Sequence, residues 1–287
     1  MPKRLPRSRT LKGDPKLAYY DSGGGLPAET PLVLVHGATF RSEDWENIFP
    51  RLATRYRVIA YDARGHGKSG RAPSYAVAEL ADDLHRVLAL AGRPAIVIGH
   101  SRGGATALLA AAREPRPFRA LVLEDPIVSL YGTGWRGAYY AALRAAIGAP
   151  PDPARLKAAV AKLPLPAPGP HGERTVGEVR GFYAAERLAT YYADVDPAFI
   201  DAFVAGDAGG RAALEAAVPP AGNGPAVPTL LLAADPKDSA LALGEADRLG
   251  AGVQVHHFPG QGHRIHGMRP ELFLETLEPF LRAHRAG

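Results

Sequence analysis

The chain has 287 residues, 46% of them hydrophobic and 22% charged, and it contains no cysteine. That length suits one large α/β domain with an insertion, or two small domains, and can bury a sizeable core. The missing cysteine excludes disulfides, thiolate nucleophiles and thiolate metal sites. The net charge of +5 is spread along the chain and lacks the concentrated basic face of a nucleic-acid binder. Lys3, Arg4, Arg7 and Arg9 form a solvated terminal cluster. No apolar signal segment follows it, and no apolar run could span a bilayer. The expectation is a soluble, cytoplasmic monomer or homodimer that binds neither nucleic acid nor membrane.

In chain order, apolar runs at 32–35, 57–61, 95–98 and 121–123 predict strands buried on both faces, because no polar residue alternates within them. Helical patterns at 77–90 and 105–113 lie between them. Such alternation predicts βαβ units and a mostly parallel sheet flanked by helices. After Pro126 the pattern changes to helical segments at 139–147, 154–163, 173–192 and 198–205, separated by Pro and Gly clusters. Strand-like runs resume at 229–232 and 253–256, and a last amphipathic helix covers about 270–284. The predicted organisation is an α/β core over 1–129 and 225–287, with a helical cap inserted at 130–224.

Gly99-His100-Ser101-Arg102-Gly103 matches G-x-S-x-G between a buried strand and an Ala-rich helix. A sharp strand-to-helix turn exposes its apex side chain at the carboxyl edge of the sheet. The helix N-terminus behind it suits a developing oxyanion. Ser101 is therefore the predicted nucleophile. Helix capping would also explain a serine there, but not Gly99, Gly103 and Gly104. His36-Gly37-Ala38-Thr39 follows an earlier strand. With one oxyanion donor after the nucleophile and one from this loop, the backbone N–H groups of Arg102 and Ala38 are expected to bind the oxyanion.

A Ser–acid–His chain order leaves His171, His256, His257, His263, His266 and His284 as candidate bases. His263 lies in Pro259-Gly260-Gln261-Gly262-His263, past the last strand, where a Gly-rich loop can return an imidazole over the nucleophile. His266 is the fallback. Together with Val35-His36-Gly37, Tyr61-Asp62-Ala63-Arg64-Gly65-His66-Gly67-Lys68-Ser69 and the serine motif, the chain resembles the α/β-hydrolase superfamily. The resemblance covers about residues 32–126 and 227 to the end, and it implies that His263 is the general base. The insertion corresponds to the superfamily's variable cap.

The acid is less clearly marked. Ala234-Asp235-Pro236-Lys237-Asp238 occupies a common acid position, with Asp238 one residue later than the family pattern and Ala234 in place of its Gly. Glu124-Asp125-Pro126 ends an earlier strand and is similar to zearalenone-lactone hydrolases and to one group of haloalkane dehalogenases, where a Glu acid is followed shortly by Pro. A carboxylate ending a buried strand needs a partner, which an imidazolium would provide. Glu124 is favoured, Asp238 is the alternative, and Asp125 and Asp235 are outsiders.

The expected reaction is cleavage of a small apolar ester or lactone through an acyl-enzyme, without metal or organic cofactor. Carbon–carbon bond hydrolysis and cofactor-free perhydrolysis fit the same triad. A non-catalytic receptor on this fold is the rival class. Trp45, Tyr131, Trp135 and Tyr183, with Tyr139 and Tyr140, are candidate pocket residues.

Overall fold

The computed structural model describes residues 5–26, 29–127, 135–147, 153–165, 174–206, 212–214, 216, 225–235, 249 and 252–285. Strands β1 (Arg9–Leu11), β2 (Leu17–Asp21), β3 (Leu32–Val35), β4 (Val58–Tyr61), β5 (Ala95–His100) and β6 (Phe118–Glu124) come first in the chain. A two-residue pair, β7 (Pro164–Leu165) with β8 (Arg174–Thr175), lies in the insertion, and β9 (Thr229–Ala233) and β10 (Val253–His257) follow it. The main sheet has eight strands in the order β1-β2-β4-β3-β5-β6-β9-β10. All neighbours from β4 to β10 pair in parallel, whereas β1 and β2 are antiparallel additions that the sequence patterns did not suggest. This is the expected α/β architecture, with β5 central.

Strand periodicity divides the core into two layers. Val33, Val97, Leu121, Leu123 and Leu231 face one side, across the sheet from α1 (Phe49–Leu52) and against α2 (Val77–Ala91) and α3 (Arg102–Arg113). Leu34, Ile98, Ala120, Val122 and Leu232 face the other, against Trp45, Ile48, Phe273 and Leu277. No helix among the described residues is long and apolar enough to cross a membrane.

Between β6 and β9 lie α4 (Trp135–Ala146), α5 (Pro153–Ala161), α6 (Val176–Tyr192) and α7 (Pro197–Ala205). Helix α6 starts where Thr175 donates from its backbone N–H (2.7 Å) and hydroxyl (2.9 Å) to Glu178. Asp196 accepts at 3.0 Å from the Ala198 N–H and so caps α7. It also joins the insertion to the early loops, because its N–H donates to the Gly65 carbonyl at 2.7 Å and its carboxylate accepts from Tyr75 Oη at 2.6 Å. The chain closes with α8 (Ile265–Met268) and α9 (Pro270–Ala283).

Candidate active site

The central strand β5 runs into α3 through Ser101, whose φ of 54° and ψ of −118° lie outside the ordinary L-residue regions. Ser101 makes no side-chain capping bond to α3, so capping does not explain it. Its neighbours explain the glycines by close approach. A Cβ on Gly99 would come within 2.6 Å of the Gly103 carbonyl oxygen, and one on Gly103 within 2.3 Å of the Val35 carbonyl oxygen. Two ladder-like bonds fix the turn: Ser101 N–H donates to the Glu124 carbonyl at 2.8 Å, and Ile127 N–H to the Ser101 carbonyl at 3.2 Å.

The loop holding Ala38 lies against this turn, since a Cβ on Gly37 would stand 3.3 Å from Ser101 Cβ. Two buried imidazoles brace it. His36 donates from Nδ1 to the Gly37 carbonyl at 2.8 Å and accepts at Nε2 from the Ala63 N–H at 2.9 Å. His66 donates from Nδ1 to the Arg64 carbonyl at 2.9 Å and accepts at Nε2 from the Thr39 N–H at 3.3 Å. Burial holds both below the ordinary histidine pKa, which keeps a lone pair free for those backbone donors. Asp62 orders the adjoining turn by accepting from the Ser42 and Lys68 N–H groups, each at 2.9 Å. The Gly65–Ser69 stretch is thus an internal scaffold.

His263 follows β10 and lies against His100 of the turn, the two rings 4.7 Å apart. His100 donates from Nε2 to the His263 carbonyl at 2.9 Å. Burial pushes its pKa down to about 3, so it acts as a neutral strut. The Nδ1 of His263 contacts Asp125 Oδ2 closely. Asp125 is fully buried, adopts a φ of 41° just beyond β6, and accepts from the Ala234 N–H at 3.3 Å.

The expectation that Glu124 faces His263 is therefore corrected: the facing carboxylate is Asp125, which the sequence reading had set aside. Glu124 is the last residue in the β6 ladder and has the parity of Ala120 and Val122, so its side chain enters the layer of Trp45 and Phe273. There it meets His266, accepting from its N–H at 2.8 Å and from Nδ1 at 2.6 Å. Asp125 leaves the ladder and turns toward the strand end. Asp238 lies outside the described residues, and Asp235 accepts at 2.9 Å from the Gly260 N–H of the histidine loop.

The structure also places His266 away from the base position. Its ring is fully buried, with Nε2 3.1 Å from Asp44 Oδ2. Asp44 in turn accepts from Arg264 Nε at 2.6 Å. Burial opposes ionisation of all three groups, but the attraction of Arg264 for Asp44 and of His266 for both carboxylates outweighs it. His266 is raised above the ordinary histidine pKa, while Glu124 and Asp44 are lowered below the ordinary carboxylate range.

Of the predicted pocket residues, Trp45 is corrected to core: it is fully buried and stacks on His266 at 4.0 Å. Tyr131 lies outside the described residues, Trp135 opens α4, and Tyr183 lies within α6. Tyr139 packs in the insertion, with its hydroxyl against that of Tyr192, and Tyr140 packs on Phe203 at 4.7 Å. Beside the histidines the sequence reading missed Phe40, whose ring lies 6.2 Å from His100 and 5.9 Å from Tyr191 of α6.

The sequence profile of the alpha/beta hydrolase family matches residues 32–276. The chain belongs to this family. Among curated relatives of this chain, the pimeloyl-[acyl-carrier protein] methyl ester esterase of Edwardsiella ictaluri is 35% identical over 106 residues, 37% of this chain and 39% of that one. The mouse sn-1-specific diacylglycerol lipase is 33% identical over 131 residues, 44% of this chain and 41% of that one. These matches span about two-fifths of each relative. Solved structures align over nearly the whole chain. E-2-(acetamidomethylene)succinate hydrolase gives a TM-score of 0.75 at 25% identity, covering 96% of this chain and 99% of that one. An N-acyl homoserine lactone degrading enzyme gives 0.66 at 22% identity, covering 95% and 100%, a likeness of fold.

Proposed function

We propose that this hydrolase cleaves carboxylic ester or lactone bonds through an acyl-enzyme on Ser101, with His263 as general base and Asp125 as the acid of the triad. The observation that carries the reading is the buried Asp125 carboxylate on His263 Nδ1, beside a serine held in a strained strand-to-helix turn. Nδ1–H donates to Asp125, which leaves Nε2 with a lone pair to take the Ser101 proton. The backbone N–H groups of Ala38 and Arg102 receive the tetrahedral oxyanion. His263 then protonates the leaving alcohol, and water activated by His263 releases the acid. Helices α6 and α7 of the insertion cap the site, reaching Phe40 through Tyr191 and Arg102 through Phe199 and Phe203, and Phe40 with Tyr191 forms an apolar wall for the substrate. The methyl ester esterase and the diacylglycerol lipase among the relatives support an ester substrate, and a lactone offers Ser101 the same acyl–oxygen bond.

Turnover of p-nitrophenyl acetate and of a macrolactone series, abolished in Ser101→Ala, is the expected result. Absence of turnover by the wild-type protein across both series overturns the ester and lactone reading. Near-full activity in Asp125→Asn overturns the acid assignment.

A further inference from the structure

The carboxylate and histidine that the triad does not use form a second chain beside it. Glu124, His266, Asp44 and Arg264 are linked in sequence by contacts of 2.6, 3.1 and 2.6 Å. The side chains of Glu124, His266 and Asp44 are fully buried, and that of Arg264 is 15% exposed. Both His266 ring nitrogens point at carboxylate oxygens, which only accept, so both carry hydrogen and the ring is an imidazolium. Two anions and two cations then balance, which makes burial of all four tolerable.

The placement of the four groups matters more than their stability. Glu124 directly precedes Asp125 at the end of β6, and its backbone carbonyl holds the Ser101 N–H. His266 and Arg264 lie within three residues of His263. Asp44 sits on the 3-10 turn Ser42–Asn47, just after the oxyanion loop. The chain therefore ties together the three loops whose relative positions set the reaction geometry. Trp45 covers its centre by stacking on His266, and Phe273 closes it from α9 at 6.0 Å.

We propose that Glu124 and His266 are positioning residues: their buried ion pair clamps the His263 loop to the strand end carrying Asp125 and so holds His263 in register with Ser101. The inference rests on the triad reading above. Displacement of a catalytic group by about 1 Å costs on the order of 100-fold in rate, so a weakened clamp lowers kcat while leaving the apolar binding wall intact.

The test uses Glu124→Gln, His266→Gln and the double variant, each measured as kcat and KM on p-nitrophenyl acetate per active site titrated with a fluorophosphonate. Titration removes any contribution from unfolded protein. The expected result is a fall in kcat of about 10- to 100-fold in each single variant, with KM changed by less than about threefold. The double variant falls no further than the worse single one, as expected for coupled residues. Unchanged kcat per titrated site, with only a lowered Tm, overturns the proposal and leaves the chain a structural staple. If Glu124→Gln loses more than Asp125→Asn, Glu124 is itself the triad acid and the positioning role is overturned. If wild-type protein is labelled at Ser101 but turns over no ester, the substrate reading fails alone. The labelling rate then replaces kcat, with the same 10- to 100-fold fall expected. Absence of labelling in the wild type overturns both.

Discussion

Two carboxylate–histidine pairs stand side by side at the end of β6, and their two acids are consecutive in the sequence. Asp125 and His263 meet at the rim, where the His263 side chain is 29% exposed and one ring nitrogen remains available for chemistry. Glu124 and His266 meet in the core at zero exposure, and both ring nitrogens are spent on carboxylates. On the proposed reading, the same pair of functional groups serves proton transfer in one environment and fixation in the other. What differs is whether the imidazole keeps a free lone pair.

The largest effect that would separate the pairs is expected at Asp125. Asp125→Asn is expected to lower kcat by about 10³–10⁴-fold through the wrong His263 tautomer, with little change in Tm. Glu124→Gln inverts the pattern: kcat falls only about 10- to 100-fold, yet Tm drops more than in Asp125→Asn, because a buried charge loses its partner. Steady-state kinetics and thermal melts on the two proteins test both statements together. Equal kinetic losses would erase the distinction between the pairs.

A smaller effect is expected in pH dependence. His266 is raised above its ordinary value of 6.5, so its stabilising contribution is full below 6.5 and is lost as pH climbs through the higher folded-state value. Glu124 is lowered below its ordinary value of 4.5, so its contribution is full above 4.5 and is lost as pH falls through the lower folded-state value. The Tm gap between wild type and Glu124→Gln should therefore be widest between about pH 4.5 and 6.5 and narrow on either side. A gap that stays flat from acid to alkaline pH would show that the pair is not ionised as described. The smallest effect is expected for Arg264→Lys, which keeps the cation on Asp44 but loses the planar fork. It should cost less in kcat than Glu124→Gln, and a larger loss would move the centre of the clamp to Arg264.

Much of this was legible in the sequence. Uninterrupted apolar runs marked the parallel strands, and the G-x-S-x-G motif between a strand and a helix marked Ser101. The Gly-rich loop after the last strand marked His263 over His266. The antiparallel β1 and β2 escaped notice because Arg9–Leu11 and Leu17–Asp21 are short and carry polar residues. Trp45 looked like a pocket aromatic because composition cannot say which layer of the sheet receives it. Asp44 gave no signal, since its role depends on His266, 222 residues away.

By itself the sequence determined the order of the parallel strands and singled out Ser101 and His263 as candidates, because strand periodicity and tight-turn chemistry are local. It also narrowed the acid to a few carboxylates, Glu124 and Asp125 among them. Only the tertiary structure separated these two, by placing Asp125 on His263 and Glu124 on His266. A strand alternates its side chains, so Glu124 stays with Val122 in the buried layer, while the φ of 41° at Asp125 releases the next side chain toward His263. Pairing across the fold, not residue type, assigns each carboxylate its histidine.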